Sequence, residues 1–270
     1  MNYLPEAGPS PISVAATQEM HFLGPRRSGN HAVLGWIMAN AEQNGISTEH
    51  FNDIHDALME PPKEPVYGDA ALQPSADKQL TIYSYQDINV EDIPTVGFYT
   101  AAPETKQTVR IVRDLPNLIA SRIAMYDDLD RRGLSHRSVR KIPLEAVTDM
   151  WVGYARDYVE RSDPRAGSVN FPLWFQSREY RDEVFDTLGL GDNQDAGLNN
   201  VADFGFGSSF DYRNFDGRAQ EMGVLERWRK YEGTPIFERA IVSHPDAPDL
   251  IREFDALTAK CLAATVYSDR

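Results

Sequence analysis

Gly24-Pro25-Arg26-Arg27-Ser28-Gly29-Asn30-His31 is the segment that most constrains the fold of this 270-residue chain. It comes after an apolar run, Met20 to Leu23, that reads as a strand. It precedes Ala32-Val33-Leu34-Gly35-Trp36-Ile37-Met38-Ala39, which reads as a helix. A strand, a glycine-bracketed turn and a helix start together make an anion site. The N–H groups of the turn and of the first helical turn point at whatever sits there, and the helix dipole favours negative charge.

The interval Gly24-x4-Gly29 is that of a nucleotide phosphate loop, but the next two residues depart from that pattern. A Walker A loop needs Lys and then Ser or Thr after its second glycine, and Asn30 and His31 stand there instead. The hydroxyl that would hold Mg²⁺ is missing. Cations stand earlier in the loop, as Arg26 and Arg27. The segment therefore reads as a phosphate cradle that does without the usual metal.

The rest of the chain carries net charge −14, from 27 Lys and Arg against 41 Asp and Glu. Such a surface repels nucleic acid, anionic membrane and polyanionic polysaccharide, so a basic pocket on it favours a small anionic cofactor. Cys261 is the only cysteine, which excludes an intrachain disulfide and a cysteine-based metal site; a cytoplasmic setting is expected. No apolar run has the length of a membrane span. Residues 1–17 read as a loose tail rather than a signal peptide, and residues 18–270 as a single domain.

Strands are expected at Gln18–Leu23, Leu80–Tyr85, Val96–Tyr99, Thr108–Val112 and Ser168–Phe171. Helices are expected at Asn30–Asn44, Pro116–Tyr126 with Asp114 as N-cap, Leu144–Arg161, Ser177–Leu188 stopped by Gly189, Arg218–Tyr231 and Pro248–Ala264. Residues 60–79 and 189–217 read as long loops. Alternating strands and helices imply a three-layer α/β fold, a mainly parallel sheet flanked by helices, of the P-loop nucleotide-binding-like kind. Ligands of such sheets gather at the carboxyl ends of the strands, where the Gly24 loop and the segment after Val112 both fall.

A second element is Val109-Arg110-Ile111-Val112-Arg113-Asp114-Leu115-Pro116, continuing through Asn117 to Ser121-Arg122. Arg113 stands just past a strand and Ser121 two turns along the next helix, so the pair can converge on one phosphate. The bland alternative pairs Arg113 with Asp114 and turns Ser121 to solvent.

Taken together, the two elements resemble the cofactor motifs of the PAPS-dependent sulfotransferases over about residues 18–232. That family's 5′-phosphosulfate loop is similar to Pro25 through His31, and its 3′-phosphate motif to Arg113-Asp114-x-Pro-x5-Ser121. The family next has a strand-turn-helix like Val169–Leu190. It also has a glycine-containing loop over the 3′-phosphate, similar to Gly205–Asp211 with Ser208 and Ser209, backed by a helix similar to Glu221–Tyr231. The resemblance implies transfer of a sulfuryl group from PAPS, with adenosine 3′,5′-bisphosphate (PAP) as product, to a hydroxyl or amine by in-line displacement and without an obligatory metal. It implies that Arg26, Arg27, Ser28, Gly29, Asn30 and His31 bind the 5′ end. Arg113, Ser121, Ser208 and Ser209 then bind the 3′-phosphate. Arg27 aligns with the family's loop lysine, which implies a catalytic role at the bridging oxygen between phosphate and sulfate.

The acceptor must lose a proton, and the base should be His, Glu or Asp. Glu49-His50-Phe51-Asn52-Asp53 offers His50 or Asp53, with His31 and Asp87 as rivals; the same stretch also reads as a solvated polar loop between helix and strand. His21 reads as core. Trp36, Trp151, Tyr154 and Tyr158 read as packing residues, and Asp127-Asp128-x-Asp130 as a solvated helix end rather than a metal site. The acceptor class stays open among small molecules, glycans and peptides. A P-loop kinase or nucleotide hydrolase and a non-catalytic nucleotide-binding module are the competing readings.

Overall fold

The computed structural model describes residues 18–52, 66–67, 70–71, 77–90, 105–133, 141–161, 167–201 and 210–268. In chain order the elements are β1 (Gln18–Gly24), α1 (Asn30–Gln43), β2 (Thr48–Phe51), β3 (Val66–Tyr67), β4 (Ala70–Ala71), β5 (Leu80–Gln86) and β6 (Thr105–Val112). Next come α2 (Leu115–Arg131), α3 (Leu144–Glu160), β7 (Ser168–Asn170), α4 (Phe171–Gln176), α5 (Arg178–Leu188), α6 (Pro235–Ile241) and α7 (Ala247–Ser268).

Five strands form one all-parallel sheet in the order β2-β5-β1-β6-β7, and β3 and β4 make a separate antiparallel pair. After β1 the chain crosses to the edge strand β2, returns to β5 beside β1, and then passes to β6 and β7 on the other side. The order reverses beside β1, and the crevice at such a reversal is where parallel sheets bind ligands. The Gly24 loop leaves β1 at that crevice, and Arg113 leaves β6 beside it.

Alternation along each strand splits the core in two. Met20, Phe22, Ile82 and Ile111 pack with Val33, Leu34, Trp36 and Ile37 of α1 and Val184, Phe185 and Leu188 of α5. Val112 packs on the other side with α2, α3, α6 and α7, through Leu118, Ile119, Trp151, Tyr154 and Phe254. The two layers cover both faces, which is why β1 and β5 are buried along almost their whole length. Trp36, Trp151, Tyr154 and Tyr158 are buried packing residues. His21 is a core residue too, its ring hydrogen-bonded to Glu19 and to Tyr85 at 2.9 Å.

Local signals set the helix ends. Asp114 caps α2, its carboxylate accepting from the N–H of Asn117 at 3.0 Å, and Gly189 ends α5 in the left-handed conformation at φ 66°. Three expectations need correction. Residues 218–231 are not a continuous helix but two short 3₁₀ turns, Ala219–Glu221 and Arg227–Lys230. Between them the carbonyls of Val224 and Leu225 accept from the side chains of Arg113 and Asn117, at the latter 2.8 Å, instead of from helical N–H groups. Phe171 begins α4 instead of ending a strand, because Asn170 caps that helix at Leu173 and Pro172 suits its first turn. The polar stretch around His50 is the edge strand β2, paired in parallel with β5. The expected strand Val96–Tyr99 lies outside the described residues.

Among the described residues no helix is long and apolar enough to cross a membrane. Asp128 and Asp130 are engaged with Arg131, Arg132, Tyr212 and Lys141 near the end of α2.

Candidate functional site

The loop after β1 is built by contacts that only small or left-handed residues permit. Gly24 lies so close to Ile111 of β6 that a Cβ would overlap its side chain. Ser28 N–H donates to the Pro25 carbonyl at 3.1 Å, closing a tight turn. Arg27 and Gly29 both have positive φ, 77° and 100°. Left-handed residues placed so closely curl successive N–H groups inward, the backbone geometry of an anion nest. α1 starts directly afterwards with no side-chain cap, so its first N–H groups face the same space.

Gly29 tolerates no other residue. Its φ is costly for an L side chain, and a Cβ there would run into the ring of Phe171. Gly29→Ala is expected to lower stability by about 2 kcal/mol or more, from overpacking and backbone strain together, as read by chemical denaturation. An unchanged midpoint would mean that the turn is not built as described.

Asp87, just past β5, anchors the loop from beside it. Its carboxylate accepts from Arg26 N–H at 2.8 Å, and its own N–H donates to the Gly24 carbonyl at 3.2 Å. Both guanidinium nitrogens of Arg122 reach the same carboxylate, Nη1 at 2.9 Å. Burial pushes the Asp87 carboxyl upward, but Arg122 and then Arg26 overcome it and hold the group below the usual carboxylate range.

On the β6 side Arg113 is 2% exposed. It donates to the carbonyl of Arg27 at 3.1 Å and to that of Val224, and its guanidinium lies 4.9 Å from the centre of the Phe171 ring. Burial, opposed by Asp114 and reinforced by Arg227, pulls Arg113 down to about 9. Arg27 also falls to about 9, from burial and then from repulsion by Arg227, Arg113, Arg122 and Arg26. Arg227 is held by Asp211 at 3.0 Å and stacked over Phe210. All three stay cationic at neutral pH, and their crowding favours an anion between them.

These groups line a cavity of about 130 Å³. Its floor is Arg27, Gly29, Asn30, His31 and Ala32. Gln86 and Arg113 border it at the strand ends, Phe171 forms a wall, and Asn200, Val201, Ala219, Met222, Val224 and Arg227 cover it. The cover is strapped to α1: Trp36 donates to Asn193 at 3.1 Å, and Asn40 takes the N–H of Gln194 at 2.7 Å and gives to the Ala196 carbonyl at 3.1 Å. A cavity of this size suits a phosphate-scale group, the anionic end of a larger ligand.

Among the described residues, the buried Ser28 Oγ, both side-chain polar atoms of Asn30, Arg113 Nε and Ser121 Oγ find no hydrogen-bond partner. Buried polar atoms normally do, and the three on Asn30 and Arg113 belong to residues that line the cationic cavity, which fits a site made for an oxyanion.

The structure thus brings Arg27, Gly29, Asn30, His31 and Arg113 to one cavity. Ser28 is buried within the loop, and Arg26 is turned to Asp87. Ser121 is fully buried on α2 and is not part of the lining. His50 lies on β2 with Nε2 2.9 Å from Ser84 Oγ; burial, then His31, lowers it to about 3. Asp53, Ser208 and Ser209 lie outside the described residues. Sequence reading missed Arg227, Gln86 and Phe171. Gln86 was within reach, since it ends β5 at the sheet's carboxyl edge. Arg227 carries no such signal, because its 3₁₀ turn reaches the cavity only through contacts with α2.

No protein-family model matches the chain, and no curated protein matches it in sequence.

Proposed function

We propose that this chain is a PAPS-dependent sulfotransferase with a P-loop-like fold. One observation carries the reading: at the carboxyl ends of β1 and β6, a glycine-bracketed loop and a helix start meet Arg27, Arg113 and Arg227, among buried Ser28 and Asn30 side chains that find no hydrogen-bond partner among the described residues. This is the place and chemistry for a doubly charged oxyanion. Walker A's Lys-Ser/Thr pair is replaced by Asn30 and His31, which favours a phosphosulfate over a Mg²⁺-chelated triphosphate.

PAPS, when bound, supplies an electrophilic sulfur attached to a phosphate leaving group. The nest N–H groups and Ser28 would hold its 5′-phosphate, and Arg113 with Ser121 its 3′-phosphate. Arg27 would neutralise charge on the bridging oxygen as it departs. The acceptor is a hydroxyl or amine of a small molecule, glycan or peptide.

Thermal unfolding with ligand tests the reading. PAP without Mg²⁺, at about 100 times its Kd, should add about 2.7 kcal/mol and raise Tm by roughly 5 °C. ATP with Mg²⁺ should leave Tm almost unchanged. The opposite pattern overturns the sulfotransferase reading in favour of a kinase or nucleotide hydrolase. A rise with PAP but no turnover of PAPS leaves a binding module.

A further inference from the structure

We propose that Asn117 is a positioning residue whose side-chain amide sets Arg227 into the cavity, where Arg227 holds the bound anion from the cover. The proposal rests on the sulfotransferase reading, which supplies the anion. Arg227 opens a 3₁₀ turn of four residues, Arg227–Lys230, whose start has no side-chain cap of its own. So short a turn makes few internal hydrogen bonds and does not fix its own place. Its place is set from α2.

Asn117 lies in the first turn of α2 and is 3% exposed. Its Nδ2 donates to Asp114 Oδ1 at 2.7 Å and to the Leu225 carbonyl at 2.8 Å. Its Oδ1 accepts from the N–H of Trp228 at 3.2 Å. Chemistry fixes which way round the amide lies. A carbonyl accepts and a backbone N–H donates, so the nitrogen must face Leu225 and the oxygen Trp228. The N–H of Asn117 donates to the same Asp114 oxygen at 3.0 Å, which ties the amide to the helix start. One side chain thus grips the main chain two residues before Arg227 and one residue after it.

The grip matters because Arg227 is directed at a place that repels it. It lines the cavity with Arg27 and Arg113. After burial, repulsion from Arg227 is the largest cause that lowers Arg27 to about 9. Asp211 at 3.0 Å and the Phe210 ring offset the crowding in part. Without a fixed main chain, like-charge repulsion would turn Arg227 outward. A bound anion converts the same crowding into attraction. Asn117 itself does not line the cavity, so its effect on a ligand runs through the residues it holds.

A purely structural Asn117 would stabilise the fold without depending on Arg227. A double-mutant cycle separates the two roles. The affinity for PAP is measured by calorimetry, and stability by urea denaturation, in the wild type, Asn117→Ala, Arg227→Met and the double variant. Asn117→Ser replaces Asn117→Ala should the latter fail to fold, since its hydroxyl is too short to span Leu225 and Trp228. Arg227→Met is expected to raise the Kd for PAP about 10–100-fold, the range of a lost charge-assisted contact. Asn117→Ala should raise it about tenfold while Arg227 is present, and less than twofold once Arg227 is replaced. The loss of stability from Asn117→Ala should be the same in both backgrounds. A Kd that Asn117→Ala leaves unchanged, or raises equally in both backgrounds, overturns the proposal. So does a Kd that Arg227→Met leaves unchanged. A wild type that does not bind PAP overturns the sulfotransferase reading itself, and this proposal with it.

Discussion

Asp87→Asn is expected to destabilise the protein by about 3–5 kcal/mol, the cost of removing one partner from a buried ion pair. Arg122 is fully buried, and both its terminal nitrogens reach the Asp87 carboxylate. An amide there leaves that charge uncompensated. The same carboxylate holds the Arg26 N–H, so the change also frees the loop. Urea denaturation should show the loss. Replacing Arg122 as well, in Asp87→Asn with Arg122→Met, should restore much of it, because no charge then stays unpaired. The pH dependence has a definite sign. The carboxyl of Asp87 sits below its unfolded value, so the folded state binds fewer protons there. Its stabilisation is complete above about pH 4, the unfolded pKa, and is lost as the pH falls through the lower, folded one. The wild type should thus show an acid-side decline that Asp87→Asn lacks. A loss below 1 kcal/mol, or identical acid profiles, would show that the pair does not anchor the loop.

Asp87 also marks the boundary between the legible and the hidden parts of the chain. Periodicity places β1, β5, β6 and the long helices, since burial on two faces writes continuous apolar runs and helical stripes into the sequence. The site's first half is equally legible, because Gly24, Gly29 and the arginines between them are adjacent along one turn. The second half depends on distance in space. Asp87 reads as a lone acid after a strand, and only the fold sets Arg26 and Arg122 against it. Arg227 belongs to a segment whose pattern suggests a helix, but Arg113 and Asn117 capture its carbonyls and unwind it. The sequence favours His50 over its rival His31 as base, but the fold places His50 behind Ser84 and His31 in the cavity lining.

On the proposed sulfotransferase function, Arg27→Ala should reduce turnover of PAPS by about 10²–10³-fold, which corresponds to ~2.7–4 kcal/mol of lost transition-state stabilisation. The affinity for PAP should fall much less, for a reason visible in the cluster. Arg27 is held near pKa 9 by burial and by repulsion from four neighbouring arginines, so deleting its charge relieves the others while it weakens the ligand's hold. Arg113→Ala should show the reverse balance. Its side chain braces the carbonyls of Arg27 and Val224 in addition to facing the cavity, so PAP binding suffers first, by roughly 1.5–3 kcal/mol. Backbone strain is controlled within the same series. Residue 27 sits at φ 77°, where Ala is strained as Arg is and Gly is not. Arg27→Gly should therefore be the more stable of the two variants while it is equally slow. Arg27→Lys keeps a cation and should recover part of the rate. If Arg27→Ala weakens PAP binding as much as it slows turnover, the arginine holds the ground state, and its role at the departing oxygen is wrong.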